Sequence, residues 1–219
     1  MSGHYVTGRN DLLTVQGLGR STADLVENQL LTDISFVVEA GRSAIITGAS
    51  GAGKTVLLRA LADLDSSIGV IELSSKPKDA YGAPEWRQQV CYVPAEPGWW
   101  AYLAKDHFVD LGSAQNHARS LGLGVAVFEQ PVDQLSTGER QRLALIRALL
   151  GSPKVMLLDE PTAALDPDAT QLVENKLRQF LDKGNSLLLV THDREQGYRM
   201  GDQFFVMESG RLRSVVPGK

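Results

Sequence analysis

The sequence predicts an α/β fold: a mostly parallel sheet core, antiparallel strands at the N-terminal end, and a small inserted helical lobe. Three observations carry this. Continuous apolar runs of strand length recur at 43–47 (SAIIT), 155–159 (VMLLD) and 186–190 (SLLLV), as expected of strands buried on both faces. Helical patterns stand between these runs, and that alternation implies crossover helices on a parallel sheet. The stretch from about 97 to 150 is helical in pattern and lacks strong strand runs.

The elements follow in order. LLTV (12–15), ISFVVEAG (34–41) and GVIEL (69–73) read as strands separated by polar or glycine-bearing turns. TVLLRALADL (55–64) is a helix directly after SAIIT. CYV (91–93) ends a buried strand, and the loop Pro94–Gly98 leads to the adjacent Trp99 and Trp100. TGERQRLALIRALL (137–150) carries leucines and isoleucine at helical spacing. The helix over 166–184 opens on Asp166 as N-cap with Pro167 at its first position, and Gly184 stands at its C-cap. FFVMESGRLRSVV (204–216) reads as a hairpin turning at Ser209–Gly210.

Composition bounds the function. The 219 residues suit a single domain, with 97–150 as a helical subdomain inside it. Hydrophobic residues make up 43% and charged residues 22%, an ordinary globular mix. A net charge of −4 counts against a nucleic-acid binder. The lone Cys91 excludes a disulfide framework and suits a reduced, cytoplasmic setting. The first ten residues lack the apolar region of a signal peptide, and no apolar run approaches the roughly 20 residues that span a bilayer.

Two motifs carry chemistry. GASGAGKT (48–55) has Gly48, Gly53, Lys54 and Thr55 at phosphate-loop spacing, between a buried strand and a helix. Backbone N–H groups of Gly48, Ala49, Ser50, Gly51, Ala52 and Gly53 can curl round a phosphate, and the following helix N-terminus adds partial positive charge. Lys54 reaches the β and γ phosphates, and Thr55 offers its hydroxyl to Mg²⁺. The chain therefore reads as a P-loop NTPase with a RecA-like core, using ATP and Mg²⁺. At the end of VMLLDE (155–160), Asp159 is the metal carboxylate and Glu160 the general base for an attacking water.

QLSTGERQRLALIRALL (134–150) resembles the signature motif of ABC ATPases, with Leu135, Ser136, Thr137, Gly138 and Glu139 in the LSGGQ positions. Ser136 and Glu139 also match a capping box, and the two readings are compatible. AALD (163–166) resembles the D-loop with Asp166, and LLLVTHD (187–193) resembles the switch strand, with His192 facing a γ-phosphate. The resemblance implies two subunits joined head to tail, the second being another copy of this chain or a paralogue. ATP then lies between the P-loop of one and the signature of the other. It also implies a separate integral membrane permease, so the chain is expected at the inner face of the cell membrane, held there by that partner. The small size and short helical lobe are most similar to ATP-binding subunits of bacterial metal (iron) exporters. Lipoprotein-release and haem-export subunits, or a soluble nucleotide switch, are the alternatives.

Two departures from the family pattern stand out. The usual glutamine after the CYV strand is replaced by Ala95, with Glu96 beside it as a candidate substitute. No aromatic residue stands between Tyr5 and Phe36 to stack on adenine, and Arg20 falls at that position. A guanidinium plane can stack on a base. Trp99 and Trp100 are expected at the cleft that receives the permease, or packed inside the helical lobe.

Overall fold

A computed structural model describes residues 10–21 and 29–216. The N-terminal run read for a leader lies almost wholly outside the described residues. Two sheets form. The first has the order β2-β1-β4-β5 and is antiparallel, built from β1 (Asp11–Ser21), β2 (Gln29–Glu39), β4 (Ile68–Leu73) and β5 (Lys76–Pro77). The second has the order β10-β9-β3-β8-β7-β6. Its strands are β3 (Ser43–Thr47), β6 (Val90–Val93), β7 (Val155–Asp159), β8 (Ser186–Val190), β9 (Gln203–Glu208) and β10 (Arg211–Ser214). All its pairings are parallel except β9–β10, a hairpin whose turn residues Ser209 and Gly210 have φ of 46° and 75°. Positive φ at both turn positions matches the twist of the flanking strands.

The apolar runs are strands buried on both sides, and the period of two sorts them. Ile46, Leu157, Leu188 and Val190 face a core shared with Leu13, Val15, Ile34, Phe36 and α1 (Lys54–Leu61). Ile45, Met156, Leu158, Leu187 and Leu189 face the other way. There they meet α4 (Thr137–Leu150) through Leu143 and Ile146, and α5 (Pro167–Leu181) through Val173, Leu177 and Phe180. The parallel sheet is thus the middle layer between the antiparallel sheet with α1 and the helices of the second half.

Between β6 and β7 the chain makes α3 (Leu111–Ser120), α4 and three short 3₁₀ turns, and contributes no strand. The amphipathic face of α4 packs on the sheet, so its C-terminal half belongs to the core as much as to the inserted segment. Two helices carry no sequence expectation: α2 (Ala83–Gln89) and α6 (Arg194–Met200). Helix α2 exists largely for Trp86, which is 1% exposed and donates its indole N–H to the carbonyl of Leu61 at 2.8 Å. That bond satisfies an orphan carbonyl at the end of α1. Helix α5 opens on Asp166, whose carboxylate accepts from the Ala169 N–H at 2.8 Å, but it stops at Leu181. Gly184, expected as its cap, sits in the turn beyond with φ of 80°.

Candidate functional site: a phosphate cleft at the ends of three strands

Strands β3, β8 and β7 are parallel neighbours, so their C-terminal ends lie side by side. That edge is where open α/β sheets place ligands. The phosphate loop follows β3, Asp159 ends β7, and His192 is the second residue after β8. Sequence-distant residues are thereby brought to one cleft of about 220 Å³, lined by Ser50, Gly51, Lys54, Asp159, Glu160 and His192 among others.

Glycine is required at two loop positions. Gly48 has φ of 143°, and a Cβ there would lie 2.3 Å from the carbonyl oxygen of Met207. Gly53 has φ of 106° and a Cβ there would meet the Leu30 carbonyl at 3.2 Å. Gly53 is also the N-cap of α1 and supplies no side chain to cap it. The first N–H groups of α1 therefore point into the cleft without an internal acceptor, which makes them an anion site. Lys54, 8% exposed, folds back over the loop and donates to the carbonyls of Gly48 at 2.7 Å and Ala49 at 2.9 Å.

Thr55 Oγ1 donates to Asp159 Oδ2 at 2.7 Å, so the helix start and the end of β7 already meet. Among the described residues no group of three or more His, Cys, Asp or Glu side chains could hold a metal. The hydroxyl and carboxylate are hard oxygen donors and fit Mg²⁺, an ion that takes one or two protein oxygens and completes its shell with phosphate and water. Tyr92, at the end of β6, donates its hydroxyl to the same Asp159 oxygen at 3.2 Å. Burial and then the Asp159 charge push the Tyr92 phenol well above its usual range, so it stays a donor. Sequence reasoning missed Tyr92, because nothing in CYV distinguishes a strand residue from one that reaches the neighbouring strand's carboxylate.

Glu160 leaves β7 with φ of 49°, a left-handed conformation that is strained for a non-glycine residue. Its N–H donates to the Val190 carbonyl at 3.0 Å, and its Oε1 lies 2.9 Å from His192 Nε2. Two glutamines brace this loop, and neither was singled out in the sequence. Gln141 of α4, 5% exposed, donates its amide to the carbonyls of Ala95 at 3.2 Å and Glu160 at 3.3 Å. Gln196 of α6, 1% exposed, donates to Thr162 Oγ1 at 2.8 Å and to Glu174 at 3.5 Å. Glu174 is fully buried and gripped by Arg199 at 2.7 Å. Helices α4 and α6 thus hold the Glu160 loop from two sides. Ala95 enters this bracing through its backbone, and the exposed Glu96 does not line the cleft.

The remaining expected residues lie elsewhere. The capping box is present: Ser136 accepts from the Glu139 N–H at 3.2 Å, and Glu139 accepts from the Ser136 N–H at 2.8 Å. Thr137 is exposed beside them. A Cβ on Gly138 would lie 2.9 Å from Leu165 and 3.0 Å from the Ala164 carbonyl, so glycine lets this helix start abut the segment ending at Asp166. None of Ser136, Thr137, Gly138, Glu139 or Asp166 lines the phosphate cleft of the same chain. Arg20, near the end of β1, pairs across the strands with Leu31, whose side chain packs beside Gly53. Its Nη1 donates to Asp65 at 2.6 Å, and Arg59 grips the same carboxylate at 2.8 Å. Arg20 therefore stands near the loop but outside the cleft, with one edge of its plane fixed.

Comparison with known proteins bears on the family and the fold. The ABC transporter family model matches residues 31–163. A Haemophilus influenzae protein described as an Fe(3+) ions import ATP-binding protein is 32% identical over 94% of this chain and 62% of its own length. A Burkholderia lata protein described as a Nod factor export ATP-binding protein is 34% identical over 83% of this chain and 64% of its own. The chain thus spans about six tenths of the length of the curated relatives it matches. A solved dimer of an ATP-binding cassette in a post-hydrolysis state with ADP and Pi superposes with a TM-score of 0.82, at 20% identity, over 94% of this chain and 100% of that one.

Proposed function

Because the chain belongs to the ABC transporter family, we propose that it is an ATP-binding and hydrolysing subunit that drives a separate membrane permease. The observation that carries this is the meeting of Lys54, Thr55, Asp159, Glu160 and His192 in one cleft at the strand ends. Loop amides and the N-terminus of α1 cradle the phosphates, and Lys54 exchanges its two loop carbonyls for phosphate oxygens. Thr55 and Asp159 would hold Mg²⁺, which would neutralise phosphate charge there. Glu160 accepts the proton of the attacking water, and His192, hydrogen-bonded to it, stands on the γ-phosphate side. Arg20 is the base-side contact, with its plane oriented by Asp65.

A second copy completes the site. Ser136, Thr137 and Asp166 are exposed and Glu139 partly so, around the N-terminus of α4, with Gly138 buried against Ala164 and Leu165, and none of them lines the chain's own cleft. Helix N-termini favour anions, so this surface suits the γ-phosphate held by a partner chain. Among the described residues no helix is long and apolar enough to cross a membrane. A metal ion is the finer proposal for cargo. The similarity to iron exporters gives no direction, because the relatives include one named for Fe(3+) import and one for Nod factor export.

Glu160→Gln tests the core of this reading. The variant is expected to bind ATP as the parent does, lose nearly all turnover, and accumulate an ATP-bound dimer. Parent-like turnover in Glu160→Gln refutes the assignment.

A further inference from the structure

A basic cavity stands at the opposite end of the parallel sheet from the phosphate cleft. Its volume is about 350 Å³, and Lys154, Lys176, Lys183 and His117 line it. Lys154 is the residue before β7, and Asn185, also in the wall, is the residue before β8. The cavity therefore opens at the strand starts. Hydrogen bonds fix this wall. The Lys154 N–H donates to the Gln89 carbonyl at 2.9 Å, and the Lys154 carbonyl accepts from the Ser186 N–H at 2.9 Å. The Asn185 side-chain amide donates to the Phe180 carbonyl at 3.2 Å. Lys176, Gln179 and Phe180 share one face of α5 by helical spacing, and Lys183 follows in the turn beyond. Leu149, Pro153 and Phe180 supply the apolar part of the lining.

No carboxylate lines this cavity. Among the described residues the lysines in ion pairs are Lys78, with Asp63, and Lys105, with Glu129, so the three lysines here have no acidic partner. Burial and then the Lys183 charge draw Lys176 below the usual lysine range. Burial and then both lysines draw His117 down as well, so its ring is neutral at neutral pH. Like charges are thus gathered against their own repulsion. Helices α3, α4 and α5 contribute wall residues from near their C-terminal ends, which favour cations. A helix end carries about −0.5 of a charge, so three ends offset about half of three ammonium charges. The remaining charge calls for an anion. An ammonium is a point charge that suits phosphate, whereas a planar carboxylate matches a guanidinium fork, and no arginine lines the cavity. The volume lies at the lower end of small-molecule sites, which leaves room for an organic body beside the phosphate.

We propose that this cavity binds a phosphomonoester, with its phosphate held by Lys154, Lys176 and Lys183 and an apolar part held against Leu149, Pro153 and Phe180. The site is separate from the phosphate cleft, and the inference does not depend on the transport reading. A soluble metabolite and a lipid headgroup share this chemistry. A ligand here touches the starts of the two strands whose far ends carry Asp159 and lead to His192.

Calorimetry on the full chain tests it, at fixed ionic strength and with saturating Mg²⁺ and a non-hydrolysable ATP analogue, so that the phosphate cleft is filled. Phenyl phosphate is expected to bind saturably. Inorganic phosphate, which lacks the ring, and benzenesulfonate, a singly charged analogue of the same shape, are each expected to bind about fivefold more weakly. Replacing Lys176→Gln and Lys183→Gln together removes charge-assisted hydrogen bonds, so phenyl phosphate affinity should fall about tenfold or more. That double variant should bind the ATP analogue as the parent does. It should also melt no lower than the parent, because it relieves like-charge repulsion. If it does not fold, Lys154→Gln replaces it, with a loss of about threefold expected. Phosphatidylcholine vesicles with and without phosphatidic acid separate the two sources. Retention only by the acidic vesicles, lost in the variant, assigns a lipid headgroup. Phenyl phosphate binding without retention assigns a soluble ligand. No saturable phenyl phosphate binding, equal affinity for all three probes, or parent-like affinity in a folded variant overturns the proposal.

Discussion

Gln141→Met removes the brace on the Glu160 loop while keeping the length and apolar contacts of the side chain. In the structure the Gln141 amide is the shared donor for the Ala95 and Glu160 carbonyls, at 3.2 and 3.3 Å. A net hydrogen bond contributes about 0.5–1.5 kcal/mol, so losing both costs about 1–3 kcal/mol. For a chain of this length that is a fall in Tm of roughly 3–9 °C. The catalytic effect is separate. Glu160 is held at φ of 49°, a conformation that costs about 1–3 kcal/mol and persists only while its surroundings fix it. Without the amide the loop relaxes and the carboxylate moves, and a misplacement of about 1 Å can reduce rate by about 100-fold. The expected pattern is a fall in kcat of about 10- to 100-fold with ATP affinity within twofold of the parent, read by steady-state kinetics, ATP titration and thermal melting. An unchanged kcat with lowered Tm makes Gln141 a structural residue only, and refutes the brace.

Three further outcomes follow from the same geometry. Trp86→Ala removes a fully buried indole and its bond to Leu61, so unfolding stability should drop by about 3–5 kcal/mol in denaturant titration. Arg20→Ala should weaken ATP binding by about 1 kcal/mol if the guanidinium stacks on the base, and equal ATP affinity in calorimetry removes Arg20 from the site. The hydrogen bond from Arg59, and then the Arg20 charge, outweigh burial and hold Asp65 below its ordinary carboxylate value. A group depressed on folding stabilises above its unfolded pKa and stops doing so as pH falls through the folded value. The stability gap between parent and Asp65→Asn should therefore be full at neutral pH and narrow below about pH 4, measured by urea unfolding at each pH.

The phosphate loop, the Asp159–Glu160 pair and His192 were legible because each is a local pattern tied to a strand end. Gly48 and Gly53 are demanded by backbone angles that no other residue adopts cheaply, so they appear in the sequence as a spacing. The SAIIT, VMLLD and SLLLV runs announced strands buried on both faces, and burial alone explains their composition. The capping box at Ser136 and the N-cap at Asp166 were legible for the same reason, since a cap is an interaction over three residues.

What the sequence could not hold is which distant side chains meet. Strand order sets β8 between β3 and β7, and only that order turns Asp159 and Thr55 into neighbours at 2.7 Å. Tyr92 reaches Asp159 because β6 pairs with β7, and Gln141 and Gln196 brace one loop because α4 and α6 pack against its two sides. These contacts have no period and no fixed spacing. Trp99 and Trp100 show the division most clearly. Their place after a Pro-Gly loop was written in the chain, but that they clasp Arg147, about fifty residues on, was decided by the packing of α4. Local patterns record backbone geometry and burial, which act on neighbours in sequence. Charge pairing and buried hydrogen bonds act through space, and tertiary packing alone sets those distances.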